Sequence, residues 1–325
     1  MPHAPRRAVL AAGLLAAPSL PRAQGTVWQA TRPVRLVVPF AAGGAADSVT
    51  RAVAPGLAQR LGQPVVVENR TGAGGSLGGG EVARAVPDGH TLLMDASSHL
   101  VNPALMRGLP FDYATAFVPI SLATTFPQVL AAKADFPARS VAEFVAAARA
   151  RPRVLSVGTQ GNATAGHLGL VQFSRAAGVE VIHVPYRGGA DAARDLAGGT
   201  LDAVFITMLS AGPIVDAGRA RFLAASAPAR VPLRPEVPTF AEAGLPGIEI
   251  SEWCALFAPA GTPTAAIGAI HAALAATLAE PEVRARLASL AAVPVGSAPG
   301  EFARFVREGR AAMAQLVRDA DIRLE

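Results

Sequence analysis

The chain has 325 residues, of which 51% are hydrophobic and only 16% are charged. This composition allows one large or two moderate domains with a sizeable core, and it excludes an intrinsically disordered protein. Lys and Arg number 29 against 24 Asp and Glu, and no basic stripe with interleaved aromatic residues argues for nucleic-acid binding. The single cysteine, Cys254, excludes an internal disulfide framework; it lies in an apolar run, and we expect a buried structural thiol.

The first 23 residues have the features of a signal peptide. Arg6 and Arg7 form a positive start, residues 8–17 are an apolar stretch too short to span a bilayer, and the small residue Ala23 precedes Gln24. The arginine pair allows a Tat route, but its usual flanking residues are incomplete, so Sec export remains open. Without this segment 26 basic and 24 acidic residues remain, so the mature chain has little net charge.

Strand-like and helix-like segments alternate along the mature chain. Strands are predicted at residues 34–40, 65–68, 91–95, 155–158, 181–184, 203–207 and 222–226. Helical patterns lie between them, and Ser140 with Glu143 predicts a capped helix start. Unalternated apolar strands separated by helices predict parallel sheets covered on both faces, so the fold class is α/β. Two more extended runs, Leu122 to Ala132 and Trp253 to Ala258, are well placed to cross between two lobes.

Four glycine-rich junctions each follow a predicted strand and precede a predicted helix. The first turn of a helix offers free backbone N–H groups at its positive end, which attract an anion without a cationic side chain. Because the carboxyl ends of parallel strands meet at one edge, we expect the junctions to form one site, although any single one is more often only a tight turn. The junctions are Ala42-Gly43-Gly44 with Asp47, Gly72-Ala73-Gly74-Gly75, Gly158 to Asn162 with Thr164, and Arg187-Gly188-Gly189.

Motifs of catalysis and of metal binding are missing from the sequence. It has no G-x-S-x-G, H-E-x-x-H or G-x-x-x-x-G-K pattern, and its six histidines lack the spacing of metal ligands. The spacing from Gly72 to Gly78 departs from a dinucleotide-binding fingerprint, so a nucleotide-dependent enzyme is the less favoured alternative. His167, in the first turn of a predicted helix, either orients its junction or reaches the cleft, whereas His183 and His271 are interpreted as structural. We predict no cofactor.

Several motifs in order resemble those of one family. They are Val38-Pro39-Phe40-Ala41-Ala42-Gly43-Gly44 with Asp47, Val67-Glu68-Asn69-Arg70-Thr71-Gly72-Ala73-Gly74-Gly75, Pro87-Asp88-Gly89-His90-Thr91-Leu92-Leu93, Gly161-Asn162-Ala163-Thr164-Ala165-Gly166-His167, His183-Val184-Pro185-Tyr186-Arg187-Gly188-Gly189, Pro238-Thr239-Phe240-Ala241-Glu242-Ala243-Gly244 and Ala258-Pro259-Ala260-Gly261-Thr262-Pro263. Together they cover nearly the whole mature chain. The chain resembles the substrate-binding proteins of tripartite tricarboxylate transporters, the TctC or Bug family.

The resemblance implies a type II periplasmic binding protein: two doubly wound α/β lobes joined by two crossing strands, with the ligand cleft between them. Lobe one would comprise residues 24–122 and 251–325, and lobe two residues 123–250. The implied function is capture of a small organic carboxylate by a monomer in the periplasm, for delivery to a two-subunit inner-membrane permease. A sensor role toward a membrane receptor is the alternative.

The resemblance also implies the ligand-binding residues, which grip a carboxylate mostly through backbone amides. They are Phe40, Ala41, Gly43, Gly44, Asp47 and Ser97 in lobe one, and Thr159, Asn162, Thr164, His167, Tyr186, Gly188 and Thr207 in lobe two. Ala42 and Thr71 stand where the family commonly has proline. Phe205-Ile206-Thr207 replaces a common Phe-Asp-Asn, which favours a less polar ligand than citrate.

Overall fold

The computed structural model describes residue 1, residues 28–162 and residues 164–319. Apart from Met1, the predicted signal peptide lies outside the described residues. The strands are β1 (Val34–Val38), β2 (Val65–Asn69), β3 (Thr91–Ala96), β4 (Phe117–Lys133), β5 (Ser156–Thr159), β6 (Ile182–Pro185), β7 (Ala203–Thr207), β8 (Ala220–Ser226), β9 (Ser251–Pro259) and β10 (Val293–Pro294). The helices are α1 (Ala45–Leu61), α2 (Ser76–Ala83), α3 (Ser98–Leu105), α4 (Val141–Ala150), α5 (Ala165–Ala177), α6 (Gly189–Ala197), α7 (Met208–Asp216), α8 (Thr264–Leu278), α9 (Pro281–Ser289) and α10 (Pro299–Asp319).

The long strand β4 belongs to two halves of one continuous sheet. The strand order is β2-β1-β3-β9-β4-β7-β5-β6, and β8 and β10 also pair with β4. The first part of β4 pairs with β9 and β10, and from Gln128 onward it pairs with β7 and β8. We refer to the part built on β1, β2, β3, β9 and β10 as lobe one, and to the part built on β5 to β8 as lobe two.

The directions of the strands make the binding edges of the two lobes face each other. Both β3 and β4 are antiparallel to β9, so β1, β2 and β3 run in the same direction as β4, toward lobe two. In lobe two, β7 is antiparallel to β4, so β5, β6 and β7 run back toward lobe one. The carboxyl ends of both sets of parallel strands therefore meet at the boundary between the lobes, which is where ligands bind in open α/β sheets.

Each lobe has an apolar core on both faces of its sheet. In lobe one, Leu36 packs on the side of α1, α8 and α9, while its neighbour Val37 packs on the side of α2, α3 and α10. In lobe two, Phe205 faces α4 and α5, and Ile206 faces α6 and α7. This alternation explains the continuous apolar runs of the sequence, because a strand covered on both faces needs apolar side chains at every position.

The lobes also contact each other through a small apolar cluster. Val101 of α3, Leu168 of α5 and Val317 of α10 are buried together. The contact brings the beginnings of α3 and α5 close to each other across the boundary. Within the part of the chain that the structure describes, none of the helices combines the length and apolarity that a membrane span needs.

The observed elements confirm most of the predicted ones and correct two features. Ser140 caps α4 as expected, its hydroxyl accepting from the Glu143 N–H at 3.2 Å. The sheet is mixed rather than parallel, because the crossing strands β4 and β9 and the lobe-two strand β8 are antiparallel to their neighbours. Helices α3 and α7 were not predicted; each contains a proline, Pro103 and Pro213, which obscures the helical pattern.

Candidate ligand-binding site

The first glycine junction is fastened by a buried carboxylate. Asp47, in the first turn of α1, is 2% exposed and accepts hydrogen bonds from Gly43 N at 2.8 Å, Asn69 Nδ2 at 3.0 Å and Arg51 Nε at 2.9 Å. Burial acts to raise the pKa of Asp47, but these three donors outweigh it and hold the pKa below its usual range. Asp47 is therefore an ionised anchor of the loop, and its two oxygens already have donors within the chain.

The same network fixes the backbone around the junction. Asn69 Nδ2 also donates to the carbonyl of Phe40 at 3.1 Å, and Gly44 N donates to the exposed Ala41 carbonyl at 3.2 Å. Gly43 has φ +80°, which favours glycine, and Gly44 begins α1 without a side-chain cap. The first turn of α1 thus presents backbone N–H groups at the edge of lobe one.

The other two strand ends of lobe one lie beside this loop. Gly75, with φ +92°, lies against the Phe40 ring, which would be 3.5 Å from an added Cβ. Its neighbour Gly74 accepts from Asn102 Nδ2 of α3 at 2.9 Å. Ser97 directly precedes α3, and its N–H donates to Glu252 Oε1 at 3.0 Å. Phe40 and Ser97 therefore belong to one rim, held by glycine turns and by α3.

In lobe two, the junction after β5 is organised by Thr164. Its hydroxyl accepts from His167 N at 3.4 Å and donates to the Gly161 carbonyl at 2.8 Å, so it caps α5. Thr159 is fully buried at the end of β5, whereas Asn162 at the tip of the loop is exposed. The structure brings the predicted residues Thr159, Asn162, Thr164 and His167 together around the beginning of α5, as the sequence predicts for a helix start.

Two stacked histidines, His167 and His183, pack beside this junction. The rings of His167 and His183 stack with centroids 4.0 Å apart, and His183 Nε2 lies 2.7 Å from Thr159 Oγ1. Burial lowers the pKa of both rings, and with the repulsion from His167 the pKa of His183 falls to about 4. The stack is therefore neutral at pH 7. His183, interpreted as structural from the sequence, holds the hydroxyl of a predicted site residue.

The last two junctions begin α6 and α7. Tyr186 donates its hydroxyl to Asp195 Oδ2 at 2.7 Å, and burial and this carboxylate raise the pKa of Tyr186 to about 12. Gly188 precedes α6 in an extended conformation, with open space where a Cβ would be. Thr207 caps α7, accepting from Ser210 N at 3.3 Å. The Tyr186 and Thr207 hydroxyls thus already have partners in the chain.

Two polar residues at the boundary were missed by the sequence reasoning. Gln128 of β4 is completely buried, and its Oε1 accepts from Gln160 Nε2 at 3.0 Å, while its own Nε2 has no partner among the described residues. Glu252 of β9 binds the Ser97 N–H. A charged or amide residue inside an apolar crossing run is the signal that would have found Gln128 and Glu252, because such side chains are seldom buried without a role.

A cavity of about 660 Å³ lies beside the crossing strands. Apolar side chains from both lobes line it, including Leu100, Val101, Leu168, Ile250 and Trp253. Of the predicted site residues, Ser97 is the one that borders this cavity. Among the described residues no group of three or more His, Cys, Asp or Glu side chains could hold a metal ion.

The chain matches known proteins over most of its length. Residues 49–322 match the family described as tripartite tricarboxylate transporter family receptor. A UPF0065 protein in the tcbD-tcbE intergenic region of Pseudomonas sp. (strain P51) is 39% identical over 90% of this chain and 88% of that protein.

Two solved structures are similar in fold and sequence. The periplasmic binding protein BugD has a TM-score of 0.74 and 32% identity, covering 91% of this chain and 100% of that one. The protein Rpa4515 of R. palustris, solved with adipate, has a TM-score of 0.78 and 34% identity, covering 90% and 98%. The helix starts gathered at two facing sheet edges agree with these matches. The matches show that the chain belongs to the tripartite tricarboxylate transporter receptor family, a family of solute-binding proteins rather than enzymes.

Proposed function

We propose that the protein captures a small organic carboxylate between its two lobes in the periplasm and delivers it to a membrane permease of two subunits. The observation that carries the proposal is the convergence of helix starts: α1 and α3 from lobe one, and α5, α6 and α7 from lobe two, all begin at strand ends that face each other. Backbone N–H groups at such helix starts stabilise an anion through charge-assisted hydrogen bonds.

The charge of the ligand would be met by backbone amides rather than by a cationic side chain. The predicted residues Phe40 to Asp47 and Thr159 to His167 contain no Lys or Arg. The nearby Arg51 donates to Asp47, so its guanidinium is occupied in holding the loop. Adipate in the related Rpa4515 structure supports a carboxylate as the ligand class. Closure of the lobes would then bury the anion and strengthen these bonds, since contacts with lobe two exist only in the closed state.

The domain organisation follows from the same proposal. Residues 1–23 would be removed on export by the Sec or Tat system, leaving a monomer with lobe one at 24–122 and 251–325 and lobe two at 123–250. The change of partners along β4, from β9 to β8 after Pro127, supports a hinge in this crossing strand, at Pro127 rather than at residue 122.

Thermal unfolding of residues 24–325 with a panel of carboxylates tests the proposal. The protein is unfolded and refolded first, which removes any ligand that co-purified. At a concentration of 100 times Kd, a ligand adds about 2.7 kcal/mol to the free energy of unfolding, and we expect the midpoint to rise by roughly 5–10 °C. Uncharged esters of the same acids serve as the control. A panel without any shift from mono-, di- or hydroxycarboxylates would contradict carboxylate binding.

Uptake separates transport from signalling. We expect cells that lack this chain to lose high-affinity uptake of the identified ligand, and cells that carry it to regain that uptake. A normal uptake rate combined with loss of ligand-dependent gene expression would instead assign the protein to a membrane sensor.

A further inference from the structure

The two crossing strands have two distinct faces between the lobes, because side chains alternate along a strand. One face lines the 660 Å³ cavity with Thr125, Pro127, Ser251 and Trp253. The opposite face carries Phe126 of β4 and Glu252 of β9, which are direct partners across the ladder, and Gln128 further along β4. Glu252 therefore points away from the cavity and shares its face with Phe126.

The face with Glu252 is the one that meets the predicted binding loops. Phe126 is buried in the lobe-one core cluster against which Phe40 and Ala45 of the first junction also pack. Glu252 Oε1 accepts from the N–H of Ser97 at 3.0 Å and from its own neighbour Trp253 at 3.3 Å. Glu252 remains partly exposed. Its carboxyl group thus lies at the floor of the proposed cleft, next to a residue of the predicted site.

Among the described residues, Asp95 is the charged group that acts on Glu252, and no cation does. In the described parts of the chain no Lys, Arg or His side chain is within ion-pair distance of Glu252. The neighbouring acid Asp95 is 1% exposed and bonds His99 Nδ1 at 2.8 Å. Burial first, and then the charge of Asp95, raise the pKa of Glu252, against the hydrogen bonds from Ser97 and Trp253. A desolvated carboxyl group beside another acid is stabilised by a hydrogen-bond donor and destabilised by a further anion.

We propose that Glu252 is a specificity-determining residue, which accepts a hydrogen bond from an ammonium or hydroxyl group on the ligand at the end opposite its carboxylate. The inference rests on the proposed function, since it concerns the chemical group at the other end of the same ligand. The helix starts would hold the carboxylate, and Glu252 would select against a dicarboxylate by like-charge repulsion, which is the usual way that a site rejects a close competitor.

Calorimetric titration of residues 24–325 with matched ligands tests the inference. The probes are ω-amino acids and ω-hydroxy acids of three to six carbons, each compared with the dicarboxylate in which a carboxylate replaces the amino or hydroxyl group. We expect at least one amino or hydroxy acid to bind about tenfold or more tightly than its matched dicarboxylate. In Glu252→Gln this preference should fall about tenfold, and Glu252→Asp, which keeps the charge, should retain most of it.

Glu249→Gln is the matched control, because it removes the same charge three residues away, where Glu249 precedes β9 and borders the cavity. The preference should be unchanged in this variant. A wild-type protein that prefers dicarboxylates would overturn the inference, as would an equal preference in the wild type and Glu252→Gln. Either result leaves carboxylate binding intact, whereas the absence of binding by every probe and by the wider carboxylate panel would refute the proposed function itself.

Discussion

Replacing Asp47 by asparagine should loosen the first binding loop and weaken ligand binding. The carboxylate accepts from Gly43 N through Oδ2 and from Asn69 Nδ2 through Oδ1. An asparagine amide presents one oxygen and one NH2 group, so in either orientation one of these two donors faces another donor. Both contacts are partly buried, so an N–H left without an acceptor there costs about 1 kcal/mol, at the low end of the range for buried groups, which lowers the unfolding midpoint by roughly 2–4 °C.

The effect on binding should be larger than the effect on stability suggests. The loop would lose either the bond to Gly43 or the bond to Asn69, whose amide also holds the Phe40 carbonyl, so the amides at the start of α1 would be less well pre-organised. We expect Kd for the identified carboxylate to rise about tenfold or more in Asp47→Asn, measured by calorimetric titration beside thermal unfolding.

The matched control is Asp191→Asn in the first turn of α6. Asp191 forms an exposed pair with Arg194 at 2.9 Å, so its free energy of unfolding should change by no more than about 0.5 kcal/mol. The stability of the wild type should also fall in acid, because the lowered pKa of Asp47 contributes stability above its unfolded pKa that is lost as the pH falls through the folded one. Equal midpoints and equal Kd values for wild type and Asp47→Asn would refute the anchoring role.

Two further predictions concern the second lobe. Gly166→Ala should lower the free energy of unfolding by about 1–3 kcal/mol in urea titrations, because the new Cβ would lie 2.3 Å from Gln160 Oε1 and 2.4 Å from the Phe205 carbonyl. Gly268→Ala, in open space on α8, should instead add up to about 1 kcal/mol; an equal loss in both variants would contradict steric crowding. The pKa of His183, near 4 against about 6.5 unfolded, predicts that stability declines as the pH falls from 6.5 to 4, since the unfolded chain alone takes up the proton there. His183→Gln should flatten this decline in unfolding experiments across that range, and an unchanged slope would rule His183 out as its source.

Local patterns were sufficient to predict the strand ends and several helix starts. Thr164 and Ser140 cap their helices because a hydroxyl one residue before a helix accepts from its free N–H groups, and this depends only on neighbours in sequence. The glycine junctions follow the same logic, since Gly43 and Gly75 require left-handed backbone that other residues rarely adopt. The resemblance then supplied the assignment of residues such as Ser97 and Thr207 to one site.

The floor of the cleft could not be predicted in this way. Which face Glu252 and Gln128 present depends on the register of β4 against β9 and β8, and that register shifts between Pro119 and Ser121 and again between Leu122 and Thr124. Each irregularity can reverse the face on which a later side chain lies, and neither is visible in the apolar pattern. Partners distant in sequence, such as Ser97 and Glu252, are joined only by tertiary structure.

The change of partners along β4 has a mechanical consequence. Up to Pro127 the strand is paired with β9, and from Gln128 it is paired with β8, so one uninterrupted chain serves both lobes. Proline lacks the N–H that would tie the ladder at this junction, so bending there breaks fewer hydrogen bonds than bending at a residue that has an N–H. We expect closure of the lobes to bend β4 at Pro127, so that a small rotation there moves the lobe-two loop that carries Asn162 against the first junction of lobe one.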